Sequence, residues 1–264
     1  MEDQYRIEAA AGLHRGDRKY QQDQFALWSH VRVNGCIMGV IADGMGGKTG
    51  GKAAAEQVIL TARQLFNRYA PESDDGGVLL QQIAMEAHAM IRLTAIASEQ
   101  SPHSTIAAFI LNPGGKCYSV HCGDSRVYKF RGAELVHQSS DHSYVQTLVE
   151  HGAITPEEAL VHPQSNVLTA CLGMDDTPTV VSAQLQRMAV GDSLLLCSDG
   201  LWHYFTTQEL AMVIDTLPAS DACRFLIKKA HERADGGGDN LSALVLKIKL
   251  ARTQARPAPL RRKG

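Results

Sequence analysis

Short apolar runs, each closed by Gly, Asn or Asp, set the rhythm of the chain. FALWSHV (25–31), CIMGVIAD (36–43), STIAAFILN (104–112), CYSVHCGD (117–124), RVYKF (126–130), VVSAQL (180–185), DSLLLCSD (192–199) and SALVLKIK (242–249) predict strands. Runs of this length bounded by turn residues fit buried strands. NPGG (112–115) predicts a turn between two of them, and GDSR (123–126) a second. Two longer stretches, 51–70 and 78–98, carry helical spacing and good helix formers, with no strand between them. Shorter helices are predicted over 141–152, 155–160, 206–215 and 220–234. The 155–160 helix opens with a Thr cap and a first-turn Pro. Strands in runs and helices in pairs predict the α+β class, with antiparallel sheets and the helices outside.

Composition narrows this picture. The 264 residues are 44% hydrophobic and 20% charged, which suits one globular domain with a substantial core. A net charge of −2 gives no global attraction to nucleic acid or an anionic membrane. The last fourteen residues, ARTQARPAPLRRKG, carry +5, so the body stands at −7. An acidic body suits a cation site, and a solvated acidic surface explains the same number. The basic tail, 251–264, is expected to be disordered, with residues 1–250 forming the folded domain. The six cysteines form no Cys-x-x-Cys pair and several sit inside apolar runs, which predicts buried reduced thiols in a cytoplasmic protein. No apolar run approaches membrane-spanning length, and MEDQYRIEAA lacks the pattern of a signal segment.

Candidate chemistry begins at VIADGMGGKTGGKAAAE (40–56). Gly46 and Gly51-Lys52 have the spacing of a phosphate-cradling loop, but Ala53 stands where that loop needs Ser or Thr. In the other register Gly47-Lys48-Thr49 ends correctly, but Ala42 takes the leading glycine position. Neither register is complete. Asp43 offers a different reading, because a strand ending in Asp-Gly presents a carboxylate at a sheet edge. Asp199-Gly200 repeats the device, Asp239 precedes the last strand, and Asp124 follows Gly123. Hard divalent cations prefer such oxygen donors. Ordinary turn chemistry is the better account of any one of these aspartates, and it accounts equally well for the four together.

RKYQQD (18–23), ADGMGG (42–47), HST (103–105), CGDSR (122–126), SDGLW (198–202) and GGDNLS (237–242) stand in the order seen in metal-dependent serine/threonine protein phosphatases of type 2C. The chain resembles that family, in its bacterial branch, from about residue 5 to residue 249. The resemblance implies a four-layer αββα sandwich and a small flap over about 141–165. It implies two Mn2+ or Mg2+ ions and a third, weaker one. Asp43 would bridge two ions, with the Gly44 carbonyl on one and Asp199 and Asp239 on the other. Asp124 with Asp199 matches the third position. Arg18 matches a phosphate-gripping arginine and Asp23 an aspartate that hydrogen-bonds water at the metals. The implied reaction is hydrolysis of phosphoserine and phosphothreonine in proteins, opposing a serine/threonine kinase, by a monomer.

Gln22 stands where many relatives have Glu, and Met45 where animal enzymes carry a histidine. Gln22 is the one feature that favours a catalytically weak pseudo-phosphatase acting as a binding module. A nucleotide-binding switch on the glycine loop is the other competing reading. No Cys-x5-Arg motif and no Gly-x-Ser-x-Gly elbow is present, so neither a cysteine nor Ser104 is expected to act as nucleophile.

Overall fold

Alternation along the strands sorts their side chains into three apolar layers. The structure is a computed structural model that describes residues 5–98 and 101–251. One antiparallel sheet runs in the order β1 (Tyr5–His14), β12 (Leu241–Leu250), β11 (Asp192–Cys197), β8 (Arg126–Arg131), β9 (Glu134–Gln138). The second runs β10 (Val181–Leu185), β7 (Cys117–Cys122), β6 (Ile106–Leu111), β3 (Ile37–Ala42), β2 (Gln24–Ser29). In β3, Ile37 and Ile41 meet Leu194, Leu196, Leu244 and Leu246 of the other sheet in the central layer. Met38, Val40 and Ala42 of the same strand face the opposite way, against Val58, Leu80 and Ile83. Those three belong to α1 (Gly47–Phe66) and α2 (Gly76–Ser98). On the far side α6 (Thr207–Thr216) and α7 (Ala219–Ala234) cover Leu195, Ala243 and Val245 through Leu210, Ile214 and Leu226. A strand covered on both faces has no polar side to show, so β3 and β6 read as unbroken apolar runs. The result is the expected four-layer α+β sandwich with one helix pair on each sheet.

Several boundaries differ from the sequence expectation, and each has a physical reason. β1 escaped the pattern because EAAAG has low strand propensity and the strand lies at a sheet edge. Its small residues admit α7: a Cβ on Gly12 would come within 2.8 Å of Ile227. β9 is the other edge strand of that sheet and is largely exposed. α1 begins at Gly47 rather than 51, inside the glycine loop. The 192–199 run stays extended only to Cys197, and Asp199 opens a short helix, α5 (Asp199–Trp202). Between β9 and β10 lie α3 (Tyr144–Glu150) and α4 (Pro156–Leu160). Thr155 and Glu158 cap α4 reciprocally, as the sequence suggested for its start. The tail expected to be disordered lies, from 252 to 264, outside the described residues.

One buried cation stabilises the outer layer. Lys247 is 2% exposed and lies on the helix side of β12. Its ammonium donates to the carbonyls of Leu217 at 2.7 Å, Asp215 at 3.3 Å and, closer still, Ile214. These are carbonyls at the C-terminus of α6 that no further helical turn satisfies. Lys247→Met is expected to orphan them and destabilise the protein by about 2–3 kcal/mol. Differential scanning calorimetry would show this as a fall in melting temperature of about 5–10 °C. An unchanged melt would mean that water replaces the cap.

Candidate functional site

The ends of four central strands meet at one edge of the sandwich, and each delivers an aspartate there. Asp43 directly follows β3, Asp124 follows β7, Asp199 follows β11, and Asp239 stands two residues before β12. Asp23 directly precedes β2 and is fully buried. These positions are 20 to 216 residues apart in sequence; antiparallel pairing brings them together.

Backbone packing explains the glycines. A Cβ on Gly44 would lie 2.0 Å from the carbonyl oxygen of Gly51, and one on Gly51 would lie 2.4 Å from Gln22 Nε2. The glycine loop therefore lets the end of β3 and the first turns of α1 touch backbone to backbone. That use leaves the phosphate-loop spacing as coincidence. Gly16, at φ 61°, has its α-carbon so near the Asp239 carbonyl that a Cβ would sit 1.9 Å from it. Gly200 approaches the Asn240 carbonyl in the same way.

Hydrogen bonds fix the aspartates from behind. The Asp43 amide donates to Thr105 Oγ1 at 3.0 Å, the Thr105 amide returns a bond to the Asp43 carbonyl at 2.8 Å, and Thr105 Oγ1 pairs with Ser125 Oγ at 2.7 Å. HST thus supplies the floor under Asp43, with Gly44 and Met45 laddered against Ser104 and His103. Asp23 Oδ2 accepts from Ser198 Oγ at 2.8 Å, while its Oδ1 is buried with no partner. Asp199 Oδ1 accepts from the Gly200 amide at 2.6 Å. Asp239 Oδ1 accepts from the Asn240 amide at 2.7 Å, and its Oδ2 from Arg18 Nη2 at 2.6 Å.

Two residues that the sequence did not single out assemble the loops. Asn240 accepts from the Gln22 amide at 2.7 Å and donates to the carbonyls of Arg15 at 2.8 Å and Tyr20 at 3.0 Å. Asp17 exchanges two bonds with the Gly238 backbone, at 3.0 and 2.8 Å. Together they lash the segment carrying Arg18 to the segment carrying Asp239. Asn240 stands inside GGDNLS, but nothing in a sequence motif tells which loop an amide will reach. Gln22 turns its side-chain amide to the Gly47 carbonyl at 2.8 Å.

Electrostatically the cluster is under strain. Burial, and then the charges of Asp23, Asp199, Asp124 and Asp239, push the Asp43 carboxyl well above its ordinary range. Asp124 is raised for the same reasons, burial first and then Asp199 and Asp141. Asp199 is raised by burial and by Asp239. Burial carries Asp23 up to about 7 against the opposing Ser198 hydrogen bond. One guanidinium, that of Arg18, is hydrogen-bonded into this group of five carboxylates. Among the described residues no three His, Cys, Asp or Glu side chains make a ready-formed metal site. Asp199 Oδ1 and Asp239 Oδ1 each accept from a backbone amide, and Asp239 Oδ2 from Arg18. The donor set nevertheless suits hard divalent cations: all its ligating atoms are oxygens, the charges repel one another, and Asp23 Oδ1 is buried without a partner.

The cluster opens into a cavity of about 740 Å3 lined by Arg18, Asp124, Asp199 and Asp239 on one side and by α3 and α4 on the other. Trp202 stands between them. Its Nε1 donates to the Asp124 carbonyl at 2.8 Å, and the Arg126 guanidinium lies 3.4 Å from its ring centroid. Trp202 packs partly buried against the outer core cluster, in line with the sequence expectation, and it also borders the cavity.

Comparison with known proteins agrees with this geometry. The profile of the family described as Protein phosphatase 2C matches residues 13–235. The serine/threonine protein phosphatase PstP of Mycobacterium tuberculosis is 33% identical over 213 residues, covering 79% of this chain and 40% of the relative. The chain thus spans less than half the length of that protein. The protein phosphatase PhpP of Streptococcus pneumoniae is 29% identical over 236 residues, covering 88% of this chain and 94% of the relative. The crystal structure of the PstP catalytic domain in complex with two manganese ions superposes with a TM-score of 0.76 at 28% identity, covering 93% of this chain and 99% of the other.

Proposed function

The chain belongs to the protein phosphatase 2C family, and from that premise we propose that it hydrolyses phosphoserine and phosphothreonine in proteins with the help of divalent cations. The observation that carries the reading is the convergence of Asp23, Asp43, Asp124, Asp199 and Asp239 from both sheets at one edge of the sandwich, with Arg18 hydrogen-bonded into it. Asp43, the Gly44 carbonyl, Asp199 and Asp239 are the groups that would hold two ions, and Asp124 with Asp199 a third. When bound, such ions acidify a water to a nucleophile near neutral pH and offset charge on the attacking and leaving oxygens. The remaining work falls to this chain's own residues. Arg18 offers a planar fork that orients two phosphate oxygens, and it stands at the cavity mouth, 62% exposed in its side chain. Asp23, anchored through Oδ2 by Ser198, keeps Oδ1 uncommitted to accept a hydrogen bond from the attacking water. α3 and α4 roof the cavity, and we take residues 141–165 as a flap over the substrate. Manganese is the cation of the PstP complex, and either Mn2+ or Mg2+ satisfies the oxygen-rich donor set here.

The substrates are phosphorylated proteins whose phosphates a serine/threonine kinase installed, and the enzyme works as a monomer in the cytoplasm. Six free and buried cysteines suit that reducing compartment. No described helix is long and apolar enough to cross a membrane. Gln22 stays in the reading as a residue that lowers affinity at one cation without abolishing the site. It donates to Gly47, which leaves the aspartates around it in place.

The test is chelation. Protein treated with excess EDTA is expected to lose hydrolysis of a phosphothreonine peptide, and Mn2+ or Mg2+ to restore it. The cation alone should also raise the melting temperature, since saturation at one hundred times Kd stabilises the folded state by about 2.7 kcal/mol. Full activity after thorough chelation would refute the reading.

A further inference from the structure

We propose that the cavity beside the carboxylate cluster selects phosphopeptides with lysine or arginine flanking the phosphorylated residue; the inference rests on the phosphatase reading above. Residues 132–186 hold seven acidic residues and not one lysine or arginine, although 26 of the 264 residues of the chain are basic. This stretch contains α3 and α4, which form one wall of the cavity. Most acidic groups near the cavity are committed. Asp141 is forked by Arg126, Glu150 accepts from Ser140 and Gln146, and Glu158 closes the capping box of α4. Glu157 also lines the cavity and is exposed, with no hydrogen bond or ion pair among the described residues. It is the lining carboxylate that neither an arginine nor the metal-type cluster claims.

The walls around Glu157 are apolar. Val149 and Leu160 border the cavity on the flap side, and Trp202 and Phe205 face them. A long basic side chain fits such a channel, with its methylenes on the apolar walls and its charged head on the carboxylate. The phosphate end is fixed by Arg18 at the same cavity, so the basic residue lies within a few positions of the phosphorylated one. An acidic neighbour would meet a flap wall without lysine or arginine, and the arginines elsewhere in the lining, Arg18 and Arg126, are already paired with Asp239 and Asp141. Substrate choice would then be set as much by repulsion as by attraction.

The experiment compares kcat/KM for three phosphothreonine peptides that differ in the four positions around the phosphorylated residue, filled with arginine, alanine or glutamate. The arginine peptide is expected to exceed the glutamate peptide by about threefold to tenfold at low salt, and the gap to shrink in molar salt. Glu157→Lys should flatten or invert the order, with Glu157→Gln between. Equal values for the three peptides, or an order that Glu157→Lys does not change, would overturn the proposal. Turnover of p-nitrophenyl phosphate in Mn2+ by the unaltered protein tests the phosphatase reading separately. If that turnover is absent, the same order is expected in the affinities of fluorescent copies of the peptides, and equal affinities overturn the proposal just the same.

Discussion

Asp43→Asn is expected to lower phosphatase turnover about a thousandfold or more while raising the melting temperature of the chelated protein. The loss follows from the proposed role: the carboxylate that would bridge two cations becomes a neutral amide, and several kcal/mol of transition-state charge stabilisation go with it. The gain follows from the electrostatics of the folded state. Asp43 is raised well above its ordinary range by burial and by four neighbouring carboxylates, so its charge opposes folding when no cation offsets it. An amide of the same shape removes that opposition and donates to the acidic groups around it. A rise of about 2–5 °C is the scale of such a substitution. The same logic sets a pH dependence for the chelated protein. Asp23 rises from 3.8 unfolded to about 7 folded, so the folded state holds a proton that the unfolded chain releases across that window. Its contribution is fully present below about pH 4 and lost as the pH rises through 7. Stability in EDTA should therefore fall between those values, and less steeply in Asp43→Asn, which removes a second carboxyl that burial raises well above its ordinary range. Calorimetry with and without Mn2+ checks both halves. A variant that melts lower than the parent in EDTA, or keeps the Mn2+-induced rise, would contradict the role given to Asp43.

Each proposed ligand was visible because it stands beside a glycine at the end of an apolar run, and antiparallel strands covered on both faces bring their ends to common edges. The strand ends at 42, 122 and 197 fell within two residues of the expectation for that reason. β1 and β9 were missed because neither carries an unbroken apolar run, whereas β2 and β10, the edge strands of the other sheet, were marked by FALWSHV and VVSAQL. The partners behind the aspartates were hidden more deeply. Asn240 reaches loops about 220 residues away, and Asp17 meets Gly238 across a similar span. Such pairings extend the antiparallel register of β1 with β12, in which His14 faces Leu241, and no local pattern tells which distant strand will be the partner. The glycine loop shows the converse: its spacing suggested a ligand, whereas the contact it permits is between the Gly44 and Gly51 backbones.

Arg126→Met is expected to destabilise the protein by about 3–5 kcal/mol, the cost of stranding a buried charge. Its guanidinium forks Asp141 at 2.8 and 2.7 Å, donates to the Tyr128 hydroxyl at 3.0 Å and lies over Trp202. The Asp141 side chain is 7% exposed and that of Arg126 17%, so the carboxylate would be left largely buried without its partner. A fall in melting temperature of about 10 °C or more corresponds to this range. Arg126→Lys should lose most of the same stability, because an ammonium cannot fork a carboxylate or stack on indole as a guanidinium does. Arg126→Met with Asp141→Leu is the decisive variant. Removing both charges leaves nothing stranded, so the double variant should melt well above Arg126→Met. It would nevertheless lack the link from the segment entering α3, through Trp202, to the Asp124 carbonyl. If that link positions the flap over the carboxylate cluster, kcat/KM for a phosphopeptide falls in the recovered double variant while its melt stays near the parent. A double variant no more stable than Arg126→Met would show that packing against Trp202, and not the ion pair, holds this corner together.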